Sequence, residues 1–367
     1  MTLWIKDDFI TKAFLEWFDR IVVWQQEAKK QIVDTLVNQL YSIVPKKGPI
    51  AVLFFYWPSG VGKTELAHAL ATLTMGRPDR LTKIKCEHLQ EGHSLSNLIG
   101  SPKGYVGHDS NAHLSEKIYE PINTARKENQ ASNVINKFPN FNIIVLDEIE
   151  KAHPNIHQVL LGIMDDWQLN LPKGGALDFS ESVIIMTSNI GARQKRDIDT
   201  KQSMGFIESD KIKDKEEVNR EMFKLFSPEF LGRIDAKIEF QDLTIGDCKK
   251  IVNICLNRVN RVLEWFYNSD KGQFTKMNLQ LSKSVYDYIV KKGFDKSKGA
   301  RQLVRVFAND VTAVFSRVLH DNDDVMNYWN HSAKVIATMN RWKIKFILDK
   351  ANVKKLPNIV PLLFKKK

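Results

Sequence analysis

Between residues 10 and 41 the apolar side chains recur at helical spacing, Phe14, Phe18, Ile21 and Val22, then Ile32, Leu36 and Leu40, which predicts two successive helices. PKKG at 45–48 reads as a loop. Residues 50–56, IAVLFFY, then run without a polar break, as a strand buried on both faces of a parallel sheet should. A helix is expected from Thr64 to Leu73. The same alternation continues with LTKIKCE as a strand, FNIIVLDE as a stronger one, IHQVLLGIMDD as a helix and SVIIMTSN as another strand. Strands alternating with helices predict an α/β fold with a parallel sheet.

After residue 241 the period changes. CKKIVNICLNRVNRVLEWF, KSVYDYIVKKG and GARQLVRVFANDVTAVFSRVL all read as helices, so a mainly α-helical domain is expected over 242–367, following an α/β domain over 1–241. WKIKFILD adds a strand to the second domain, and the polar stretch 126–139, RKENQASNVINKFP, reads as an exposed loop.

Composition narrows the classes. Hydrophobic residues make 43% and charged residues 26% of 367, an ordinary globular balance with no apolar run of membrane-spanning length. The first twenty residues lack the apolar core and small-residue site of a signal peptide, so a cytoplasmic location is expected, with no membrane partner. Cys86, Cys248 and Cys255 have no CxxC spacing and point to buried thiols rather than a disulfide or zinc framework. The net charge of +11 attracts polyanions through a screened field, but the lysines are scattered along the chain, which argues against nucleic acid as a dedicated partner.

The chemistry begins with SGVGKT, placed between a predicted strand and a predicted helix. In that setting Pro58, Ser59, Gly60, Val61, Gly62, Lys63, Thr64 and Glu65 line a phosphate cradle at a helix N-terminus, Pro58 shaping the turn and the backbone N–H groups after it donating. Lys63 supplies a charge to the β- and γ-phosphates and Thr64 a hydroxyl to Mg²⁺, so ATP and Mg²⁺ are the implied cofactors. Downstream, Asp147 at the end of a buried strand is a second candidate ligand of the metal, through water, and Glu148 is placed to polarise an attacking water. Asn189, just past the strand in SVIIMTSN, is suited to orient that water.

These segments, with GYVG, DEIEKAHP, KLFSPEFLGRID and GARQLVR, resemble the AAA+ module of the Clp unfoldases, nearest to the second ATPase module of ClpB, ClpA and ClpC, over residues 20 to 320. The resemblance implies an AAA+ P-loop NTPase domain followed by a helical lid, and ATP-dependent unfolding of protein substrates threaded through a homo-hexameric pore. It assigns Asn189 as sensor 1, Arg233 as an arginine finger acting on a neighbouring subunit, and Arg301 as the sensor-2 arginine. Val22 and Val23 fall in the family's adenine-side stretch. Gly104, Tyr105, Val106 and Gly107 resemble a pore loop, in which an aromatic ring on a flexible backbone grips polypeptide without reading its sequence. Met204, Gly205 and Phe206 resemble a loop that docks a ClpP-like peptidase. Two rivals are a nucleic-acid motor or clamp-loader-like switch, which the basic charge suggests, and a nucleotide-insensitive scaffold with a damaged phosphate loop.

That last rival arises from tryptophan. Trp57 occupies the first glycine position of G-x-x-x-x-G-K-[ST], and Trp24 in IVVWQQEA and Trp167 in MDDWQLN fall where the resembled family carries glycine. Independent drift would scatter replacements over small turn-forming residues. The chain holds 18 glycines in 367 residues, against a usual share of about 7%. UGA codons that mean glycine but are rendered as tryptophan would give this pattern; a tolerated tryptophan is the alternative.

Overall fold

The computed structural model describes residues 6–42, 47–57, 59–91, 95–100, 114, 116–132, 139–172, 174–191, 210–269, 276–295, 299–320, 332–340 and 343–348. Its internal contacts divide the chain into two compact units, Met1–Gln241 and Asp242–Lys367.

In the first unit, helices α1 (Lys6–Ile21) and α2 (Gln26–Leu40) precede strand β1 (Ala51–Tyr56), which leads through a glycine-bearing loop into α3 (Lys63–Met75). Strand β2 (Thr82–Lys85), α4 (Leu95–Ile99), α5 (Glu120–Ser132), β3 (Asn142–Asp147) and α6 (Pro154–Asp166) follow. A two-stranded ribbon, β4 (Gln168–Asn170) and β5 (Ala176–Asp178), comes before β6 (Ser182–Thr187). Then come α7 (Asp210–Leu225), α8 (Pro228–Gly232) and β7 (Ala236–Glu239). Five of these strands form one sheet in the order β2-β3-β6-β1-β7, every neighbouring pair parallel.

The burial of each strand follows from its place. β1, β3 and β6 lie inside the sheet and are buried almost throughout, which is why they read as unbroken apolar runs. The edge strands β2 and β7 each have one fully buried residue, Ile84 and Ile238. The carboxyl ends of the central strands are level, Phe55 pairing with Thr187 and Leu146 with Met186. Because β6 is inserted between β1 and β3, whatever follows β6 sits between the loops that follow the other two. Open parallel sheets bind ligands at that end.

The second unit begins with α9 (Ile245–Ser269). Cys248, Ile251, Val252, Cys255 and Leu256 recur on one face of that helix and are buried. Strand β8 (Lys276–Leu281), helix α10 (Lys283–Gly293), helix α11 (Ala300–Phe307), a π-helical turn over Ala308–Thr312, helix α12 (Ala313–His320), and strands β9 (Ser332–Asn340) and β10 (Lys343–Leu348) complete it. The strands make a sheet ordered β10-β9-β8, with β8 parallel to β9. Asn260 ties α9 to this sheet, its Nδ2 donating to Leu279 O at 3.0 Å and its Oδ1 accepting from Leu279 N at 2.8 Å.

The long helices and inner strands agree with the pattern of apolar positions, and the strand expected in WKIKFILD forms as β10. One expectation fails. Residues 126–132 of the stretch read as a loop belong to α5, whose buried Ile122 and Ala125 anchor the start of a helix that runs on through a polar sequence. Its Arg126 also donates to Glu181 at 2.9 Å. Sequence reading also missed β8 and β9, parallel neighbours that bury only alternate residues, Met277 and Leu279 in one and Val335 and Ala337 in the other, and so present no continuous apolar run.

Candidate functional site

β1 delivers the chain into the phosphate loop, where Gly60 has φ 81° and Gly62 φ 106°. Gly62 caps α3 without any side-chain acceptor, so the first-turn N–H groups of that helix stay directed at the loop. Glycine is required there twice over, since a Cβ would also come within 2.7 Å of the Trp24 indole nitrogen. Lys63, 8% exposed, turns its ammonium back into the loop. Nζ donates to Trp57 O and Ser188 O at 2.5 Å each and to Asn189 Oδ1 at 2.9 Å.

The same asparagine reaches the acidic end of β3. Its Nδ2 donates to Glu148 Oε1 at 2.8 Å, and its backbone N–H donates to Glu150 Oε1 at 3.0 Å. One amide therefore joins Lys63, after β1, to Glu148, after β3, from its station after β6. Glu148 adopts left-handed φ 57° and forms an ion pair with Lys151 at 2.5 Å. Thr187, buried at the end of β6, donates to Asp147 Oδ1 at 2.6 Å and accepts from Glu148 N at 3.1 Å, fixing both carboxylates relative to the strand ends.

Asp147 also pairs with Lys83 at 2.7 Å. Burial by itself opposes ionisation of its carboxyl, but the hydrogen bonds from Lys83 and Thr187 and the charges of Lys83 and Lys63 outweigh it and hold Asp147 below the usual carboxylate range. A depressed folded-state pKa contributes stability that is present above the unfolded value, near 3.9, and is lost as pH falls through the folded one. Asp147→Asn is therefore expected to lower stability to urea at pH 7, with the gap to the parent closing as pH falls below about 4. A gap that is constant with pH would exclude ionised Asp147 as the cause. Beneath this edge, burial and then the charges of Asp147, Glu150 and Glu148 push the Cys86 thiol up to about 12, so it stays protonated. All three cysteines are buried.

Arg233 lies apart from this network. Ser227 caps α8, its hydroxyl accepting from Phe230 N at 3.2 Å, and Phe226 and Phe230 stack with centroids 5.4 Å apart against His157 of α6. That packing presents Arg233, half exposed, at the end of α8, where Nε pairs with Asp165 at 2.6 Å as an ion pair without the alignment of a hydrogen bond. Arg301 is exposed on α11. Val22 and Val23 lie in the connector between α1 and α2, Val22 buried and its carbonyl accepting from the buried Lys29. Ser59, Thr64 and Glu65 are partly exposed around the cradle. Pro58, Gly104–Gly107 and Met204–Phe206 fall outside the described residues, as does the tail over 351–367.

Sequence reading missed Lys83, Thr187, Glu150 and Gln25. Thr187 carried a legible signal, since it stands two residues before Asn189 at the end of the same strand. The others carried none, because their roles come from neighbours 36 to 216 residues away for Gln25, 39 for Glu150, and an adjacent strand for Lys83.

A family model described as "AAA domain (Cdc48 subfamily)" matches residues 48–237, and one described as "C-terminal, D2-small domain, of ClpB protein" matches residues 243–325. The chain belongs to the Clp-type AAA+ ATPase family. Among Clp-type AAA+ proteins it is similar to the ATP-dependent Clp protease ATP-binding subunit ClpC of Staphylococcus aureus (strain USA300), 33% identical over 309 residues. The match covers 83% of this chain and 34% of that protein. ClpC of Staphylococcus saprophyticus matches to the same extent. The chain thus spans about a third of the length of these curated Clp-type relatives, 34%. A closed-state cryo-EM reconstruction of Hsp104 with ATPγS and FITC-casein superimposes with TM-score 0.69 and 26% identity, over 94% of this chain and 53% of that one. No helix among the described residues is long and apolar enough to cross a membrane.

Proposed function

We propose that this chain hydrolyses ATP and uses the free energy to unfold or remodel polypeptides drawn through a ring of six copies. The observation that carries the reading is the contact chain Lys63–Asn189–Glu148 across three level strand ends, with Asp147 alongside. ClpC relatives named as ATP-binding subunits of a protease, and an Hsp104 particle solved with ATPγS and casein, support it.

A triphosphate in the cradle competes for the Lys63 ammonium, which leaves Asn189 Oδ1 and swings to the phosphates. Asn189 Oδ1 is then available to hold a water against Glu148, which takes its proton as the water oxygen bonds to the γ-phosphorus and the bond to the bridging oxygen breaks in line, ADP leaving. The donor set suits Mg²⁺: the Thr64 hydroxyl directly and an ionised Asp147 through water would hold it, the sparse oxygen set that this ion accepts when phosphates complete its shell. Bound there, Mg²⁺ would supply positive charge to the phosphate oxygens. In the ring Arg233 exchanges its Asp165 contact for the neighbour's γ-phosphate, and Arg301 has the sensor-2 role that the resemblance implies. Tyr105 grips the polypeptide, and Met204–Phe206 docks a ClpP-like peptidase.

The test is ATPase activity of the full chain with casein or with DNA added, beside unfolding of a tagged substrate. Casein is expected to stimulate turnover and DNA not to. Tyr105→Ala is expected to keep ATP turnover and lose unfolding. Full unfolding by that variant, or stimulation by DNA alone, would overturn the reading in favour of a nucleic-acid motor.

A further inference from the structure

We infer that Gln25 is a positioning residue that couples the phosphate cradle to the point where the chain leaves its first unit. Gln25 has left-handed φ 62° and ψ 48°, a conformation disfavoured for a side chain with a Cβ, yet it is only 8% exposed. Its amide is committed at both ends. Nε2 donates to Gln241 O at 2.7 Å and to Val61 O at 3.3 Å, and Oε1 accepts from Gln241 N at 2.8 Å. A left-handed backbone holding a buried side chain bonded at both ends of its amide marks a position that its surroundings over-determine.

Both partners matter. Val61 O is one end of the peptide plane whose other end is the N–H of Gly62, in the cradle; a planar unit turns as a whole, so a phosphate drawing that N–H also turns the carbonyl that Gln25 and Trp24 hold. Gln241 is the last residue of the first unit, and Asp242 opens the second. The amide thus spans from the anion-binding peptide to the joint. Glutamate cannot replace it, because a carboxylate would face two carbonyl oxygens with no proton to offer. Asparagine tolerates the left-handed backbone but is one methylene too short for both ends.

The inference rests on the ATP-binding part of the proposed function, and the test separates the two. Spin labels on Lys127→Cys and Lys291→Cys, one in each unit and both exposed, report the distance between units in labelled copies diluted among unlabelled ones. In the parent, ATPγS is expected to shift that distance. Gln25→Asn and Gln25→Glu are expected to bind ATPγS more weakly by the coupling factor, about fivefold or more, without the shift. A structural role alone would lower Tm and leave the shift intact. A shift of parental size in both variants, or none in a parent that binds ATPγS, overturns the coupling; a parent that does not bind ATPγS overturns the nucleotide reading and the coupling with it.

A separate observation carries a second inference. Among the described residues four other than glycine have positive φ, and two are tryptophans, Trp57 at 106° and Trp167 at 47°. Trp57 lies well beyond the small left-handed region open to side chains, at the loop position that the phosphate motif assigns to glycine. Trp167 ends α6 with its N–H on Ile163 O at 3.0 Å, the helix-terminating position that glycine dominates. From these two backbones we infer that the chain made in its native cells carries glycine at 57 and 167, encoded by UGA and read there as glycine. Trp24 has no positive φ, and the inference stops short of it. Peptide mass spectrometry of protein from native cells, beside the gene's codons, should find glycine and UGA at both positions. Tryptophan in either peptide, or UGG at either codon, overturns it.

Discussion

Replacing Glu148 with glutamine is expected to reduce ATP turnover by about 10²–10⁴-fold, with ATP still bound at close to the parental affinity. The substitution keeps the shape of the side chain. Its amide oxygen can still accept from Asn189 Nδ2, so the bond of 2.8 Å that aligns the two survives. The backbone at φ 57° is held by Thr187 through Glu148 N, which the substitution leaves untouched. What disappears is the basic oxygen that removes a proton from water, together with the Lys151 ion pair at the surface, which contributes little. Single-turnover hydrolysis measured beside equilibrium binding of a fluorescent nucleotide checks both halves. Turnover within fivefold of the parent would remove Glu148 from the chemistry and leave Asp147 or Glu150 to be tested in its place.

Lys63→Ala acts earlier, at binding. A hydrogen bond from a charged group contributes about 1.5–3 kcal/mol, so losing two such bonds to phosphate oxygens costs about 3–6 kcal/mol, or roughly 10²–10⁴ in affinity. The nucleotide-free protein is also affected. The ammonium serves Trp57 O, Ser188 O and Asn189 Oδ1, and its removal strips all three of this donor in a region where Ser188 is 1% exposed. Stability is expected to fall by about 1–3 kcal/mol, the cost of a buried acceptor left unsatisfied. Calorimetric titration with ATPγS measures the first effect and urea unfolding without nucleotide the second. An affinity within tenfold of the parent would mean that Lys63 only props the loop open.

The phosphate loop, the acidic strand end and the polar residue past β6 are legible in the sequence because each is contiguous and framed by an unbroken apolar run. Their conjunction is legible only by resemblance. That the Asn189 amide touches both Lys63 and Glu148 depends on β6 lying between β1 and β3, a crossing that local periodicity does not encode. The loop reading failed over 126–132 for the same reason, since two buried residues at the start of α5 anchor a helix that its polar end does not advertise.

By itself the sequence determined the inner strands, the long helices, the glycine-rich turn and the residue types available for phosphoryl chemistry. Burial on two faces and helical spacing write themselves into consecutive residues. Tertiary structure alone decided which strand ends became neighbours, which cation neutralises Asp147, why Gln25 accepts a left-handed backbone, and that Trp57 and Trp167 occupy glycine's conformational space. Those outcomes are set by hydrogen bonds and packing between segments far apart in the chain, and such partners are fixed only when the sheet closes.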